Sequence, residues 1–182
     1  TVGAGAAGLM AAGYAAACGA ESVIIERNDK PGRKLMITGK GRCNVTNACE
    51  IEGLFSSVME HDKFLYSAIY GFDNQAVMQF FEQSGCRLKS ERGQRVFPES
   101  DHAADIIDAL FFRLRKLNVK IVEDRAVSLV SEDRKITAVK GENGAATGNV
   151  VFAGEIYIDR LAEEVPATVL AKLPMIVAIK EA

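Results

Sequence analysis

The order of apolar and polar positions at the start of the chain predicts a helix followed by a strand. Residues 9–19 are apolar and rich in alanine, which favours a helix, and Gly19 is placed to end it because glycine tolerates the left-handed cap conformation. Ser22 to Ile25 then forms a short apolar run typical of a buried strand. A glycine-rich loop, a helix and a strand in this order predict an α/β fold with a parallel sheet.

The middle of the chain predicts three more helices. Residues 63–72 and 73–84 are apolar at helical intervals, with Asp73 as N-cap and Gly85 as the stop of the second. Another helix begins at Ser100 and Asp101, and we interpret its apolar stripe as core. That stripe consists of Ile106, Ile107, Leu110, Phe111, Leu114 and Leu117.

Strand patterns follow at residues 119–123, 126–131 and 136–140, and the polar turn between the last two predicts a hairpin. Pro166 divides the final helical pattern into two short pieces, residues 159–164 and 167–173.

Composition narrows the class of protein. The net charge is −2, and no apolar run approaches the roughly 20 residues of a membrane span. With no visible signal peptide, the chain is expected to be cytoplasmic and to have no membrane partner. Outside one basic segment at residues 26–47 no net basic face is evident, so no nucleic-acid partner is expected. The four cysteines follow no zinc-binding spacing, and the two histidines are isolated, so no metal site is expected.

The glycine-rich start has the spacing of a dinucleotide-binding loop. Gly3 allows a tight turn, Gly5 lets the backbone approach a pyrophosphate, and Gly8 lets the helix lie close to the sheet. The amides at the start of the helix, including Ala6 and Ala7, would then face the anion. Glycine and alanine runs also occur in ordinary close-packed helices, and that alternative stays open.

Glu26 ends the first predicted strand, where a carboxylate can accept hydrogen bonds from a ribose diol. Only Thr1 and Val2 precede the glycines, without an initiator Met. We therefore expect the chain to be part of a longer protein.

A local excess of positive charge follows between residues 31 and 47. Gly39 and Gly41 can expose backbone amides, and neighbouring basic side chains can neutralise phosphate by charge-assisted hydrogen bonds. A solvated basic loop is the alternative interpretation.

These motifs together resemble a known family. The segments concerned are GAGAAGLMAA with ERN, then PGRKLMITGKGRCNVTN and GQRVFPESDHAADIIDAL. They are similar to segments of the BaiN/HI0933-like, or aminoacetone-oxidase-like, bacterial flavoproteins. These are FAD-dependent oxidoreductases of the two-dinucleotide-binding-domain superfamily. The resemblance covers Val2 to about Lys140, and segments are expected to be missing before residue 1 and around residues 141–154.

The resemblance implies a Rossmann-like FAD-binding domain over residues 1–148, with a parallel sheet and flanking antiparallel strands. Residues 149–182 would be a fragment of a second, mainly β, substrate domain. The pyrophosphate would contact Gly3, Gly5, Ala6, Ala7 and Gly8. The adenosine ribose would contact Glu26. The adenine would contact Arg27 and the backbone of Val127. The residues along the flavin half would be Arg33, Lys34, Gly41, Arg42, Cys43 and Asn44.

The implied activity is flavin-mediated hydride or electron transfer to or from a small molecule, with NAD(P)H a possible donor. Neither the substrate nor a catalytic acid or base is indicated by the residues, and neither is the oligomeric state. Two alternatives stay open. One is a dithiol/disulfide oxidoreductase using Cys43 and Cys49, and the other is a non-catalytic nucleotide-binding module.

Overall fold

A computed structural model describes residues 1–59, 62–133 and 135–147. The expected second-domain fragment, with its two short helices around Pro166, lies outside the described residues. The chain divides into two compact units. Unit 1 comprises Thr1–Gly32 and the described chain from Leu114 onward, and unit 2 comprises Arg33–Arg113.

The described elements are six helices and eight short strands. The helices are α1 (Ala6–Ala17), α2 (Arg33–Ile37), α3 (Ile51–Ser56), α4 (Asp62–Gly71), α5 (Asn74–Gln83) and α6 (Ala103–Lys116), with 3-10 turns at Thr38–Gly41 and Arg92–Gln94. The strands are β1 (Val23–Glu26), β2 (Thr46–Asn47), β3 (Leu88–Ser90), β4 (Arg95–Pro98), β5 (Lys120–Glu123), β6 (Ala126–Glu132), β7 (Lys135–Gly141) and β8 (Ala145–Thr147).

Unit 1 is built on a parallel sheet. Strand β1 pairs with β5 in register from Val23 and Lys120 to Glu26 and Glu123. On the other side of β1, Val2 forms a parallel bridge to Ile25. The glycine loop therefore follows a strand-like segment, as a dinucleotide-binding loop requires.

Helix α1 packs closely because its buried face is made of small residues. Gly8 and Ala12 are buried on it together with Leu9. A methyl group added at Gly13 would lie 3.4 Å from Leu114 Cδ2, so two helical segments of unit 1 approach each other there. The helix begins at Ala6, three residues before the predicted start, because the loop glycines lead directly into its first turn.

A second sheet in unit 1 is antiparallel, with the order β6, β7, β8. The predicted β6–β7 hairpin is confirmed. A register shift between Ala126 and Ser128 leaves Val127 outside the regular ladder. Strand β8 was not expected, because the glycines at 141 and 144 obscure its apolar pattern.

Unit 2 contains a three-stranded antiparallel sheet with the order β2, β4, β3. Its central strand buries Val96 and Phe97. The predicted cap of α5 is confirmed, since the Asp73 carboxylate accepts a hydrogen bond from Ala76 N at 2.7 Å. Helix α6 buries Ile106 and Leu110 of its predicted stripe in the core, whereas Phe111 is only half-buried.

The α/β class is therefore confirmed, with a parallel sheet and flanking antiparallel strands. The predicted domain boundary at residue 148 lies at the edge of the described residues and stays a prediction.

Candidate nucleotide-binding site

The glycine loop of unit 1 is held in a fixed conformation by its own backbone. Gly3 has a φ of 86°, and its amide donates to Ile25 O at 2.8 Å. Gly5 is the N-cap of α1 and brings no side chain to cap the helix. The first helical bond runs from Leu9 N to Gly5 O at 3.0 Å. The amides of the preceding residues, Ala6 to Gly8, therefore have no partner within the helix and suit an anion.

Gly5 has no intrinsic structural need to be glycine. Its φ of −77° and ψ of −178° are extended backbone that any residue adopts. A Cβ built on it meets nothing within 4 Å. The open space above Gly5 fits a ligand that lies directly against the main chain, as a pyrophosphate does in this type of loop.

Glu26 joins the end of β1 to the loop. Its side chain is buried, and Oε2 accepts from Ala4 N at 2.5 Å. Oε1 accepts from Asn28 N at 2.8 Å and from Asn28 Nδ2 at 2.5 Å. A carboxylate offers about four acceptor positions. The three protein donors leave capacity for a ribose hydroxyl, and the contact itself stays a prediction.

A cleft of about 470 Å³ opens at the carboxyl ends of β1 and β5. This edge of a parallel sheet is where α/β proteins bind ligands. The lining residues are polar, and two arginines among them face three carboxylates, so the wall carries a formal charge of −1. They are Arg27, Asn28, Glu123, Asp124, Arg125, Glu142 and Asn143.

The structure places Arg27 in the wall of this cleft, and its side chain is exposed. Val127 follows the cleft residues at the start of β6, with 54% of its surface exposed. A residue at a bulge is left out of the strand ladder. The irregular register at Val127 therefore suits the predicted backbone pairing with an adenine edge, although the pairing itself stays a prediction.

Arg42 of unit 2 already has protein partners. Its guanidinium donates to Glu91 Oε1 and, from Nε, to Asp101 Oδ1 at 2.8 Å, and it lies 4.1 Å above the centre of the Phe97 ring. Lys89 Nζ also donates to Asp101, at 2.6 Å. Two cations thus balance two carboxylates in a network that is neutral as a whole.

The other predicted flavin-half residues lie in the same unit. Arg33 and Lys34 are exposed on α2, and Gly41 has a φ of 85°. In the amide orientation that hydrogen bonding favours, Asn44 Nδ2 donates to Thr46 O and Val96 O at 3.0 and 3.1 Å. Their contacts with a flavin remain predictions.

Cys43 and Cys49 are both free thiols, as are Cys18 and Cys86. Burial raises the pKa of Cys43, which a hydrogen bond with Thr38 partly offsets. Burial also raises the pKa of Cys86 to about 11, with contributions from Asp105 and Cys43. An attacking thiol needs a lowered pKa. The environment of Cys43 therefore acts against the dithiol chemistry considered above.

Sequence reasoning missed Asn28, Asp124 and Asn143, which line the cleft. Asp124 follows a predicted strand directly, and that position at the carboxyl edge of the sheet was the available signal. Asn143 lies in a turn and does not directly follow a predicted strand, so that signal was absent for it.

Within the described parts of the chain, no group of three or more His, Cys, Asp or Glu could hold a metal ion. The described helices are all too short or too polar to cross a membrane.

Comparison with protein families gives a match over most of the chain. The model described as HI0933-like protein Rossmann domain matches residues 1–163. The described architecture also resembles that of E. coli quinol fumarate reductase FrdA, with a TM-score of 0.58 at 18% identity, covering 78% of this chain and 28% of that one. At this level of identity the likeness concerns the fold alone.

Two curated relatives are more similar in sequence. The 3-dehydro-bile acid delta(4,6)-reductase of Clostridium scindens is 34% identical over 66% of this chain and 29% of its own length. The ribosomal RNA dihydrouridine synthase of Escherichia coli is 31% identical over 72% of this chain and 32% of its own length. The chain thus spans about a third of the length of these relatives.

Proposed function

Because the chain belongs to the HI0933-like family through its Rossmann domain, we propose that it is the nucleotide-binding part of an FAD-dependent oxidoreductase acting on a small molecule. The observation that carries the proposal is the open space above Gly5, beside helix-start amides that have no intrahelical partner. When bound, FAD supplies hydride or electron transfer, and the protein supplies binding and orientation.

Each part of unit 1 has a distinct task in this proposal. The loop amides from Gly5 to Gly8 hold the pyrophosphate, and the Glu26 carboxylate orients the adenosine ribose by accepting from a hydroxyl. Arg27 in the cleft and the backbone of Val127 would hold the adenine. The acidic balance of the cleft wall supports a neutral nucleoside there, since a further phosphate would meet three carboxylates.

Two classes of substrate are candidates, a small molecule and ribosomal RNA. The curated relatives act, by their names, on a bile acid and on ribosomal RNA. We favour a small molecule, because RNA binding depends on basic surface and the chain carries a net charge of −2. The E. coli relative favours ribosomal RNA as the second candidate.

The first test is the visible absorption spectrum of the purified full-length protein, with the released cofactor identified by chromatography. We expect the two bands of an oxidised flavin and FAD as the released compound. A colourless protein that cannot be reconstituted with FAD would contradict the proposal.

Anaerobic reduction then separates the candidates. The flavin band is bleached with NADH or NADPH, and its recovery is followed after adding a conjugated 3-oxo bile acid or ribosomal RNA that lacks dihydrouridine. Recovery with the steroid supports the small-molecule proposal. Recovery with RNA alone would make RNA the substrate.

A further inference from the structure

Asp124 bonds to two segments that border the proposed adenosine site. Its amide donates to Glu26 O at 2.9 Å, which extends the pairing of β1 and β5 by one residue. Its carboxylate Oδ1 accepts from Asn143 N and from Asn143 Nδ2, each at 3.2 Å. Asp124 therefore connects the strand that carries the ribose-binding carboxylate with the turn between β7 and β8.

The turn of residues 141–144 is held by further backbone bonds. Gly141 N donates to Gly144 O at 2.5 Å, which closes the turn, and Glu142 N donates to Arg125 O at 3.0 Å. Glu142 and Asn143 at its tip both line the cleft. Because the turn is tied to residues 124 and 125, it forms a fixed wall of the cleft.

The two glycines of this turn differ in what surrounds them. A methyl group at Gly141 would overlap the Asp124 carboxylate, whereas one at Gly144 would meet nothing within 4 Å. Neither glycine has a positive φ. A side chain at position 141 would therefore push the Asp124 carboxylate aside, whereas one at position 144 would displace nothing.

We propose that Asp124 and Gly141 form a latch that seats the 141–144 turn against the adenosine half of FAD. Asp124 is then a positioning residue, which acts through Asn143 and the turn. This inference rests on the proposed function, because it takes the cleft to be the adenosine site. It adds a specific role for a turn that lies outside the glycine loop.

Matched alanine variants of the full-length protein test the latch. After removal of the cofactor, FAD and ADP are titrated into wild type, Gly141→Ala and Gly144→Ala by calorimetry. We expect Gly141→Ala to weaken both ligands by the same factor, about tenfold, because the displaced Asp124 carboxylate loses its hydrogen bonds to Asn143. Gly144→Ala should bind both ligands within about twofold of wild type, because its methyl group displaces nothing.

A third variant keeps the test valid if Gly141→Ala fails to fold. Asn143 is exposed, so Asn143→Ala should fold, and it removes the side-chain bond to Asp124. We expect it to weaken FAD and ADP about threefold, as for one hydrogen bond. A merely structural role would lower the unfolding midpoint without moving the two affinities together.

The outcomes separate the two proposals. Wild type that binds FAD and ADP, with all three variants binding equally well, would overturn the latch and leave the proposed function intact. A loss of affinity as large in Gly144→Ala as in Gly141→Ala would overturn it as well. Wild type that binds neither ligand would overturn both proposals.

Discussion

Two glycines, one in each unit, are glycine for different reasons. Gly5 has ordinary extended backbone and open space where a side chain would stand. Gly39 has a φ of 54°, and a methyl group there would lie 3.0 Å from Asn44 N and 3.2 Å from the Phe97 ring. The fold requires glycine at 39 and does not require it at 5, where the proposed pyrophosphate would account for the missing side chain.

The polar groups of the two units also differ in whether the protein itself satisfies them. In unit 1, the helix-start amides and part of the Glu26 carboxylate are left with hydrogen-bonding capacity. In unit 2, Arg42 is shared between Glu91 and Asp101 and stacks on Phe97. A basic residue in a glycine-rich segment is thus not by itself an anion site, because the protein can neutralise it internally.

The largest effect should come from Gly5→Ala. The methyl group fits the protein but occupies the space assigned to the pyrophosphate, where hydrogen bonds to a charged group contribute roughly 1.5–3 kcal/mol. We expect FAD affinity to fall about tenfold to a hundredfold, measured by flavin fluorescence titration. The free energy of unfolding of the cofactor-free protein should fall by no more than about 1 kcal/mol, because Gly5 is the N-cap of α1 and alanine is a poorer N-cap than glycine.

Gly71→Ala is the control, since Gly71 also has open space around it and lies at the end of α4. It should leave FAD affinity unchanged, and the unfolding midpoint should stay the same or rise slightly, because alanine favours a helix more than glycine does. If Gly5→Ala binds FAD as tightly as this control, the contrast between the two glycines is lost.

Gly39→Ala should show the opposite behaviour. A left-handed conformation costs a non-glycine residue roughly 1–2 kcal/mol, and the contact with Asn44 N adds strain. We expect the free energy of unfolding to fall by about 2 kcal/mol, measured by urea denaturation of the cofactor-free protein. An unchanged unfolding curve would remove the structural explanation of this glycine.

The smallest effect concerns pH. The hydrogen bond from Lys89, together with that from Arg42, lowers the pKa of Asp101 below its ordinary 3.8. A carboxyl with a lowered pKa contributes stability that is present above the unfolded value and is lost as the pH falls through the folded one. The contribution of Asp101 should therefore be complete above pH 3.8 and disappear below it.

Urea midpoints of wild type and Asp101→Asn, measured from pH 6 downward, check this contribution. The two curves should converge as the pH falls below 3.8, because only wild type has a carboxylate to protonate at this position. A constant difference across the whole range would mean that the charge on Asp101 does not matter.

The sequence predicted the parts of the fold that depend on local patterns. Helix α5 with its Asp73 cap, the apolar face of α6 and the β6–β7 hairpin all follow from spacing and turn chemistry within a few residues. The antiparallel sheet of unit 2 was missed because β2 has two residues and β3 has three. Such short strands carry no readable alternation, and only their partners define them.

In the candidate site, too, local motifs were predictable from the sequence and tertiary contacts were not. The glycine spacing and Glu26 identified the loop, because this chemistry needs particular residue types at fixed intervals. The partners of Arg42 could not be predicted, since Glu91 and Asp101 lie far along the chain and depend on tertiary contacts. The same is true of Asn143, which reaches the cleft only through the β7–β8 turn.

The loop of unit 1 is anchored on both sides by groups of the protein itself. Ala4 donates its amide to Glu26 and accepts from Gly32 N at 2.8 Å. The conformational entropy of this segment is therefore lost when the chain folds rather than when a ligand arrives, and preorganisation of this kind strengthens binding. Cofactor release should accordingly leave the loop in place, ready to be filled again without a slow ordering step.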